Sequence, residues 1–455
     1  MVVSGTTDAK ALREAFEQAF PGEKATGLIR SPGRVNLIGE HTDYNGYPVL
    51  PMAIEREILA AWAPVKDDYV RIANRDPRFP PRAFQALLSM EPFSQGDWGN
   101  YVQAAVKGLL EERVVSAPAK GFQALVSGNI PDAAGLSSSA ALVVATGLVF
   151  LAANGKTCDP LALADLLARA ERYVGTEGGG MDQAVSLLGQ PGKALRIDFF
   201  PLRVRPVSLP KGYGFLISHS LVRATKSAEA RAQYNLRVVE CRLACALAAQ
   251  ALSQRTGIAL RPQSLADLAP ERLSLPAEEA DRFVHDILGK NPWSSGEIAK
   301  KLGKSAEQIS DSYCRLQDGS SVPEPDSGYK LWKRYRHVLS EARRVEQAER
   351  ELEKADAESF GNLMNESHAS CRDDYEVSCP ELEALVAIAR DHGALGARLT
   401  GAGFGGSTVS LVPEDRADQL IKALRVEYYS RRSEPEALTE PAFLTRAVRG
   451  AGAVS

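Results

Sequence analysis

The sequence is poor in the features that mark several large protein classes. It has only six cysteines, at positions 158, 241, 245, 314, 371 and 379, and none stand as a CxxC pair. Cys241 and Cys245 share a helix face, but that spacing builds neither a zinc site nor a disulfide framework, so reduced thiols in a cytoplasmic setting are expected. Neither charge is in excess: 54 Lys and Arg stand against 57 Asp and Glu, a net charge of −3, with a sequence pI near 6.2. A nucleic-acid or membrane-surface partner would need a basic face, which this balance does not supply. Long apolar runs are missing as well. The longest, Ala140 to Ala153, is interrupted by Thr146 and Gly147 and is too short to span a bilayer. The opening stretch MVVSGTTDAKALREAFEQAF reads as an amphipathic helix without the apolar core of a signal peptide. No GxxxxGK(S/T) loop occurs, which excludes a Walker-type phosphate site, and there is neither an internal repeat nor a low-complexity half.

What remains is an ordinary globular composition, 44% hydrophobic and 24% charged, over 455 residues, enough for two or three domains with sizeable cores. Periodicity predicts a helix near Asp8–Phe20 and strands over Gly27–Ile38 (broken at Pro32-Gly33), Val49–Ala61, Tyr69–Ala73 and Gly121–Ser127. Further helices are expected at Trp98–Glu112, Leu161–Tyr173, Lys226–Ser253, Tyr329–Ala355 and Leu382–Asp391. Region 193–221 holds at least two strands, separated by Pro206 and by Pro210-Lys211-Gly212, and Ser407–Val412 alternates as another. Residues 256–325 read as an inserted helical segment. Within it, Gly296–Leu316 superficially suggests helix-turn-helix DNA binding, but short helices joined at a glycine are common packing units and the charge gives that reading no support.

Three stretches carry the chemistry. The first, Gly128–Gly155, is a small-residue loop with three serines, Ser137 to Ser139, feeding an apolar helix that stops at Asn154-Gly155. Such a helix start offers unpaired amides and a positive dipole end to a polyphosphate, and a serine hydroxyl can ligate Mg²⁺. Taken alone, the same serines would serve as an N-cap. The second, RVNLIGEHTDYN at Arg34–Asn45, packs a guanidinium, two carboxylates and an imidazole into twelve residues at a strand's end. Sugar hydroxyls need such a mixture of donors and acceptors; a solvated loop is the alternative. The third, GTEGGGMDQ at 175–183, sets three glycines before Asp182, which could take or orient the proton of an attacking hydroxyl or simply cap the following helix. Near the C-terminus, four glycines within 401–406 mark a tight bend or a close ligand approach.

Together these stretches resemble the galactokinase branch of the GHMP small-molecule kinases. GRVNLIGEHTDYNG (33–46) is similar to the galactokinase signature, PDAAGLSSSAA (131–141) to the family's phosphate loop, and LTGAGFGGS (399–407) to its third, glycine-rich motif. GGGMDQ (178–183), YNLRVVEC (234–241) and MNESHASCRDDYEVSCPEL (364–382) are similar to the subgroup of eukaryotic galactokinases and N-acetylgalactosamine kinases. The resemblance implies an α+β fold of two domains. A ribosomal-protein-S5-domain-2-like domain (1–205) would carry the sugar signature and phosphate loop. A ferredoxin-like domain (206–455) would carry a helical insertion at about 256–325, with the active site between the two.

It also implies roles. Asp182 would face the anomeric hydroxyl, accepting or directing its proton, with Arg34 beside it. Glu40, His41, Asp43, Gly179 and Tyr234 would contact the sugar. Gly135, Leu136, Ser137, Ser138, Ser139 and Ala140 would hold ATP's phosphates, Ser139 and Glu171 the Mg²⁺, and Trp98 would lie near the adenine. The activity implied is ATP-dependent phosphorylation of the C1 hydroxyl of D-galactose. N-acetylgalactosamine and L-arabinose are alternative acceptors, and a non-catalytic galactose and ATP sensor is an alternative of another class. Tyr234 favours galactose because its hydroxyl can serve a sugar hydroxyl that the Phe of N-acetyl-specific relatives cannot. The complete GLSSSAA loop, with Asp182 and Arg34 present, favours the enzyme over the sensor. Partners are expected to be the sugar and ATP, with no nucleic acid and no membrane, for a cytoplasmic monomer.

Overall fold

The computed structural model describes residues 9–131, 133–174, 179–222, 228–269, 276–316, 319–432 and 440–454. Asp132 of the phosphate loop and Gly175, Thr176, Glu177 and Gly178 of the glycine cluster lie outside them.

The chain builds a six-stranded sheet, a four-stranded sheet and a two-stranded ribbon. The first sheet contains β1 (Gly27–Asn36), β2 (Pro51–Pro64), β3 (Tyr69–Asn74), β4 (Arg82–Gln85) and β5 (Phe122–Gly128). The ribbon is β6 (Lys193–Asp198) with β7 (Arg203–Ser208). The second sheet holds β8 (Tyr213–His219), β9 (Gly396–Thr400), β10 (Ser407–Pro413) and β11 (Ala442–Thr445). A last short strand, β12 (Gly452–Ala453), returns to the first sheet, where Ala453 pairs with Ile29. The orders are β12-β1-β2-β5-β3-β4 and β11-β8-β10-β9.

Side-chain alternation divides the first sheet's faces. On β2, Leu59, Ala61 and Ala63 turn to one face, where Leu12 and Phe16 of helix α1 (Ala9–Ala19) cover them. Ala60 and Trp62 turn to the other, under α2 (Gly99–Glu111), α3 (Ser138–Ala153), α4 (Pro160–Glu171) and α5 (Met181–Leu188). Helix α3 is buried on nearly every side, as its largely apolar composition demands. A further core joins the halves: Val35, Leu37 and Leu50 beside β1 and β2 pack with Phe215, Ile217 and Val409 of the second sheet and with Val345 and Phe360.

Several boundaries differ from the sequence reading for identifiable reasons. Pro32-Gly33 does not split the first strand; β1 runs through it with a register slip between Pro32 and Arg34. Pro206 is not a separator but lies inside β7, opposite Leu195, because β7 pairs only with β6 and an edge strand tolerates a missing N–H. Region 193–221 accordingly holds three strands. The helix expected at Lys226–Ser253 is described as α6 (Ala228–Thr256), and a helix at Ala357–Asp373 escaped the periodicity reading.

Residues 277–314 carry short helices at Ala277–Leu288, Ser295–Leu302 and Ala306–Ile309, joined by short connections. The second half of the helix-turn-helix look-alike is a single turn running into a π-helical segment, Ser310–Cys314. Its Ile298, Ile309 and Cys314 are buried in a core with Leu243 and Leu247 of α6, so this segment is a packing unit.

Candidate active site

One cleft of about 660 Å³ collects the three chemical stretches. Its floor is the phosphate loop, which reaches β1 because Gly33 has no side chain: a Cβ there would lie 2.7 Å from the Leu136 carbonyl oxygen. The Arg34 amide donates to that same oxygen at 3.2 Å. The loop also meets the C-terminal glycine motif backbone to backbone. A Cβ on Gly135 would approach the Thr400 oxygen to 2.9 Å, and one on Gly401 the Gly135 oxygen to 2.7 Å. Both glycines have positive φ, +73° and +83°, which other residues adopt only with strain.

Ser137, at φ 61°, adopts the left-handed conformation immediately before α3 and makes no capping bond. Its hydroxyl donates instead to Asp182 Oδ2. The first helical bond runs from Ala141 to Ser137 at 3.0 Å, so the amides of residues 138–140 precede the ladder and suit an anion. Asp182 likewise does not cap: it lies in the first turn of α5, whose N-cap is Gly180. Arg34 grips it twice, Nε to Oδ1 at 2.7 Å and Nη2 to Oδ2 at 2.9 Å, while Nη1 donates to the Gly135 oxygen at 2.5 Å. Asp182, the arginine and the phosphate loop therefore form one hydrogen-bonded unit on three separate elements.

Deeper in the cleft, Glu40 is almost fully buried. It accepts from Gly401 N at 2.8 Å, from Asn36 Nδ2 at 3.0 Å and from Arg398 Nη1 at 3.4 Å. Asp43 accepts from the Gly179 amide at 3.1 Å. Burial first, then the charge of Asp182, pushes its carboxyl up to about 6. Burial, with help from His337 and Arg237, pushes His41 down to about 3, so its ring is neutral. Its Nδ1 lies 3.0 Å from the Tyr44 hydroxyl, and the Tyr234 ring packs 5.6 Å away. At the outer end Trp98 donates through Nε1 to the Pro80 carbonyl at 2.9 Å and meets Phe79 edge-on. Glu171 takes hydrogen bonds from Ser139 and Gln183. Burial and then Asp182 raise its carboxyl to about 7.

Fourteen of the fifteen residues singled out from sequence line this cleft; Ala140 does not. Its methyl is buried in the core below α3, and only its amide lies at the helix start. Sequence reasoning missed Arg398, which is fully buried beneath Glu40; it marked the glycines of 401–406 as a tight bend or a close ligand approach without naming the cleft-lining Gly401 and Ala402 as site residues. A lone arginine in the otherwise apolar strand before a glycine motif was the available signal.

Comparison with known proteins agrees with this geometry. The galactokinase galactose-binding signature matches residues 14–64, the GHMP kinase N-terminal domain 100–190 and the GHMP kinase C-terminal domain 348–430. The chain is 36% identical to the galactokinase of Dictyostelium discoideum, over 98% of this chain and 93% of that one. It is 35% identical to the galactokinase of Saccharomyces cerevisiae, over 88% and 86%. Among solved structures, Lactococcus lactis galactokinase complexed with galactose superposes with a TM-score of 0.76 at 29% identity, covering 98% of this chain and 100% of that one. A mevalonate kinase at 19% identity, with a TM-score of 0.55 over 93% and 99%, shares the fold. With a cleft of this construction and relatives of this extent, the chain belongs to the galactokinase family of the GHMP kinases.

Proposed function

We infer that the protein transfers the γ-phosphoryl group of ATP to the C1 hydroxyl of D-galactose, giving galactose 1-phosphate and ADP. The observation that carries this reading is the position of Asp182. It is clamped by Arg34 and Ser137 where a phosphate-binding helix start and a buried pocket rich in donors and acceptors meet. We assign 1–205 to the N-terminal domain and 206–455 to the C-terminal one, and take the protein to be a cytoplasmic monomer; no described helix is long and apolar enough to cross a membrane.

In the reaction, Glu40, His41, Asp43, Tyr234 and the Gly179 backbone bind the sugar hydroxyls. Two buried carboxylates accept, and neutral His41 can donate or accept. The C1 hydroxyl hydrogen-bonds to Asp182, which takes up its proton as the new C1–O–P linkage forms and the bond to the ADP oxygen breaks. Arg34 keeps Asp182 aimed through two hydrogen bonds, and its positive charge stabilises negative charge that develops beside it. A phosphoryl transition state that is largely dissociative needs little base strength, so a carboxylate already paired with a guanidinium suffices. The amides of residues 138–140 receive phosphate oxygens, with Gly135 and Leu136 closing the loop around them. Trp98 supplies an apolar wall near the base.

Ser139 and Glu171 fit a magnesium ion. Their side chains share one hydrogen bond, and the carboxyl of Glu171 is raised because burial and Asp182 leave its charge poorly compensated, which a hard cation would correct. Among the described residues no group of three or more acidic, His or Cys side chains could hold a metal. A magnesium ion held by Ser139 and Glu171 would therefore need further oxygen ligands from outside the protein's side chains. When bound, it neutralises the β- and γ-phosphate oxygens.

A coupled assay of ADP release on D-galactose, N-acetylgalactosamine and L-arabinose tests the proposal. Galactose should give the highest kcat/KM, and ADP release should require sugar. Preference for another sugar would reassign the acceptor, and sugar binding without turnover would make the protein a sensor.

A further inference from the structure

The carboxylate of Glu40 is held by β1 and β9, but its backbone is held from elsewhere. The helix Leu331–Glu353 passes beneath the sugar loop and presents two buried polar residues one turn apart. Glu341, fully buried, accepts through Oε1 from the Gly39 amide at 2.8 Å and from the Glu40 amide at 3.3 Å. The same oxygen accepts from Ser367 Oγ at 2.5 Å, and Oε2 accepts from Arg344 Nε at 2.8 Å. His337 Nε2 lies 3.0 Å from the Glu40 carbonyl oxygen, and its Nδ1 lies 2.9 Å from Ser370 Oγ. A carbonyl only accepts, so Nε2 carries the proton. Close approach is built in: Gly39 has φ +101°, and a Cβ there would fall 2.9 Å from Val345 Cγ2 on the same helix and 2.8 Å from Val49 Cα.

We propose that Glu341 and His337 are positioning residues for sugar binding, gripping the two amides and the carbonyl of the Gly39-Glu40 segment so that the Glu40 carboxylate meets the substrate pre-aimed. The charge of Glu341 is retained in this setting. Burial opposes it, but Arg344 and Arg398 hold the carboxyl down at about 2. Arg398 bonds to the Asn36 carbonyl oxygen at 3.1 Å and lies between Glu40 and Glu341. The sugar loop is thereby referenced to a helix some three hundred residues downstream. Neither tether touches the phosphate loop, so removing one should weaken galactose binding and leave ATP binding alone. The inference rests on the reading that Glu40 faces the sugar.

The test compares His337→Phe, which keeps a ring and loses the donor, with His337→Gln, which restores an N–H near the Nε2 position. Glu341→Ala and Glu341→Gln form a second pair, and Glu40→Gln is the direct control. KM for galactose, KM for ATP and kcat are measured for each by coupled ADP release, alongside the thermal unfolding profile. His337→Phe and Glu341→Ala should raise the galactose KM at least about tenfold, the scale expected of a small misplacement of a binding group. The ATP KM should stay within about twofold, and each conservative variant should recover most of the loss. Glu341→Ala strands Arg398 and can fail to fold, so the His337 pair carries the decision. Equal behaviour of His337→Phe and His337→Gln, or parallel rises in both KM values, would overturn the proposal. If Glu40→Gln weakens galactose and His337→Phe does not, the tether is wrong and the assignment of Glu40 stands. If Glu40→Gln leaves the galactose KM unchanged, the assignment of Glu40 falls and the tether with it.

Discussion

The two ends of the cleft are built by different means. At the sugar end three buried polar side chains are already held by hydrogen bonds: Glu40 by three donors, Asp43 by the Gly179 amide, His41 through Nδ1 by Tyr44. At the nucleotide end the protein offers backbone amides at a helix start, a left-handed serine and one half-buried carboxylate whose charge lacks full compensation. The difference follows from the ligands. A sugar brings only neutral hydroxyls, each worth little net energy, so discrimination requires groups fixed beforehand. ATP brings several charges that organise a small-residue loop and a cation as it binds. Specificity is therefore expected to sit in side chains at one end and in backbone geometry at the other.

The largest expected effect lies where the ends meet. Asp182→Ala should lower kcat by at least about a hundredfold while ATP binding stays near normal, as single-turnover and nucleotide-binding measurements would show. Turnover within about tenfold of the parent would rule out the assigned role. Next comes Gly179→Ala. The added Cβ would lie 2.5 Å from Asp43 Oδ2, so the galactose KM should rise by about tenfold or more with little change for ATP. Equal losses for both substrates would erase the contrast between the ends.

Asp43→Asn separates function from stability. In the folded protein Asp43 holds its proton up to about pH 6, above its ordinary value near 3.8. Its contribution to stability is thus full below about pH 4 and is lost as the pH rises through about 6. At pH near 7.5 the variant should be more stable in the absence of ligand, by on the order of 2 kcal/mol, seen as a higher Tm. The same change should weaken galactose binding. The parent's galactose KM should climb as pH falls below about 6, and the variant should not show that rise. The smallest effect is expected at the outer wall. Trp98→Phe loses the bond to Pro80 and part of a flat surface, raising the ATP KM only a few-fold, about 1 kcal/mol.

Local features were legible in the sequence, and distant pairings were not. The switch to an apolar run after Ala140 announced α3, which begins at Ser138, and the glycines before Asp182 allow the close approach that Gly179 makes to Asp43. The capping alternatives for Ser137 and Asp182 could be set aside only once both side chains were seen to share a bond across 45 residues. Arg398, Glu341 and His337 could not be joined to the sugar loop from the sequence, because their partners at 36–40 lie roughly three hundred residues or more away. Pro206 misled for a related reason: whether a proline breaks a strand depends on the neighbour it lacks, which the chain's own order does not reveal.

The short β12 has a mechanical consequence. The chain leaves the six-stranded sheet after β5, forms the four-stranded sheet, and comes back between β11 and β12 to pair with β1. Two covalent crossings join the sheets like the paired leaves of a door. The outer edge of β1 is therefore covered by the chain's far end, and a variant truncated before Gly452 would leave Ile29 and Arg30 without that partner strand.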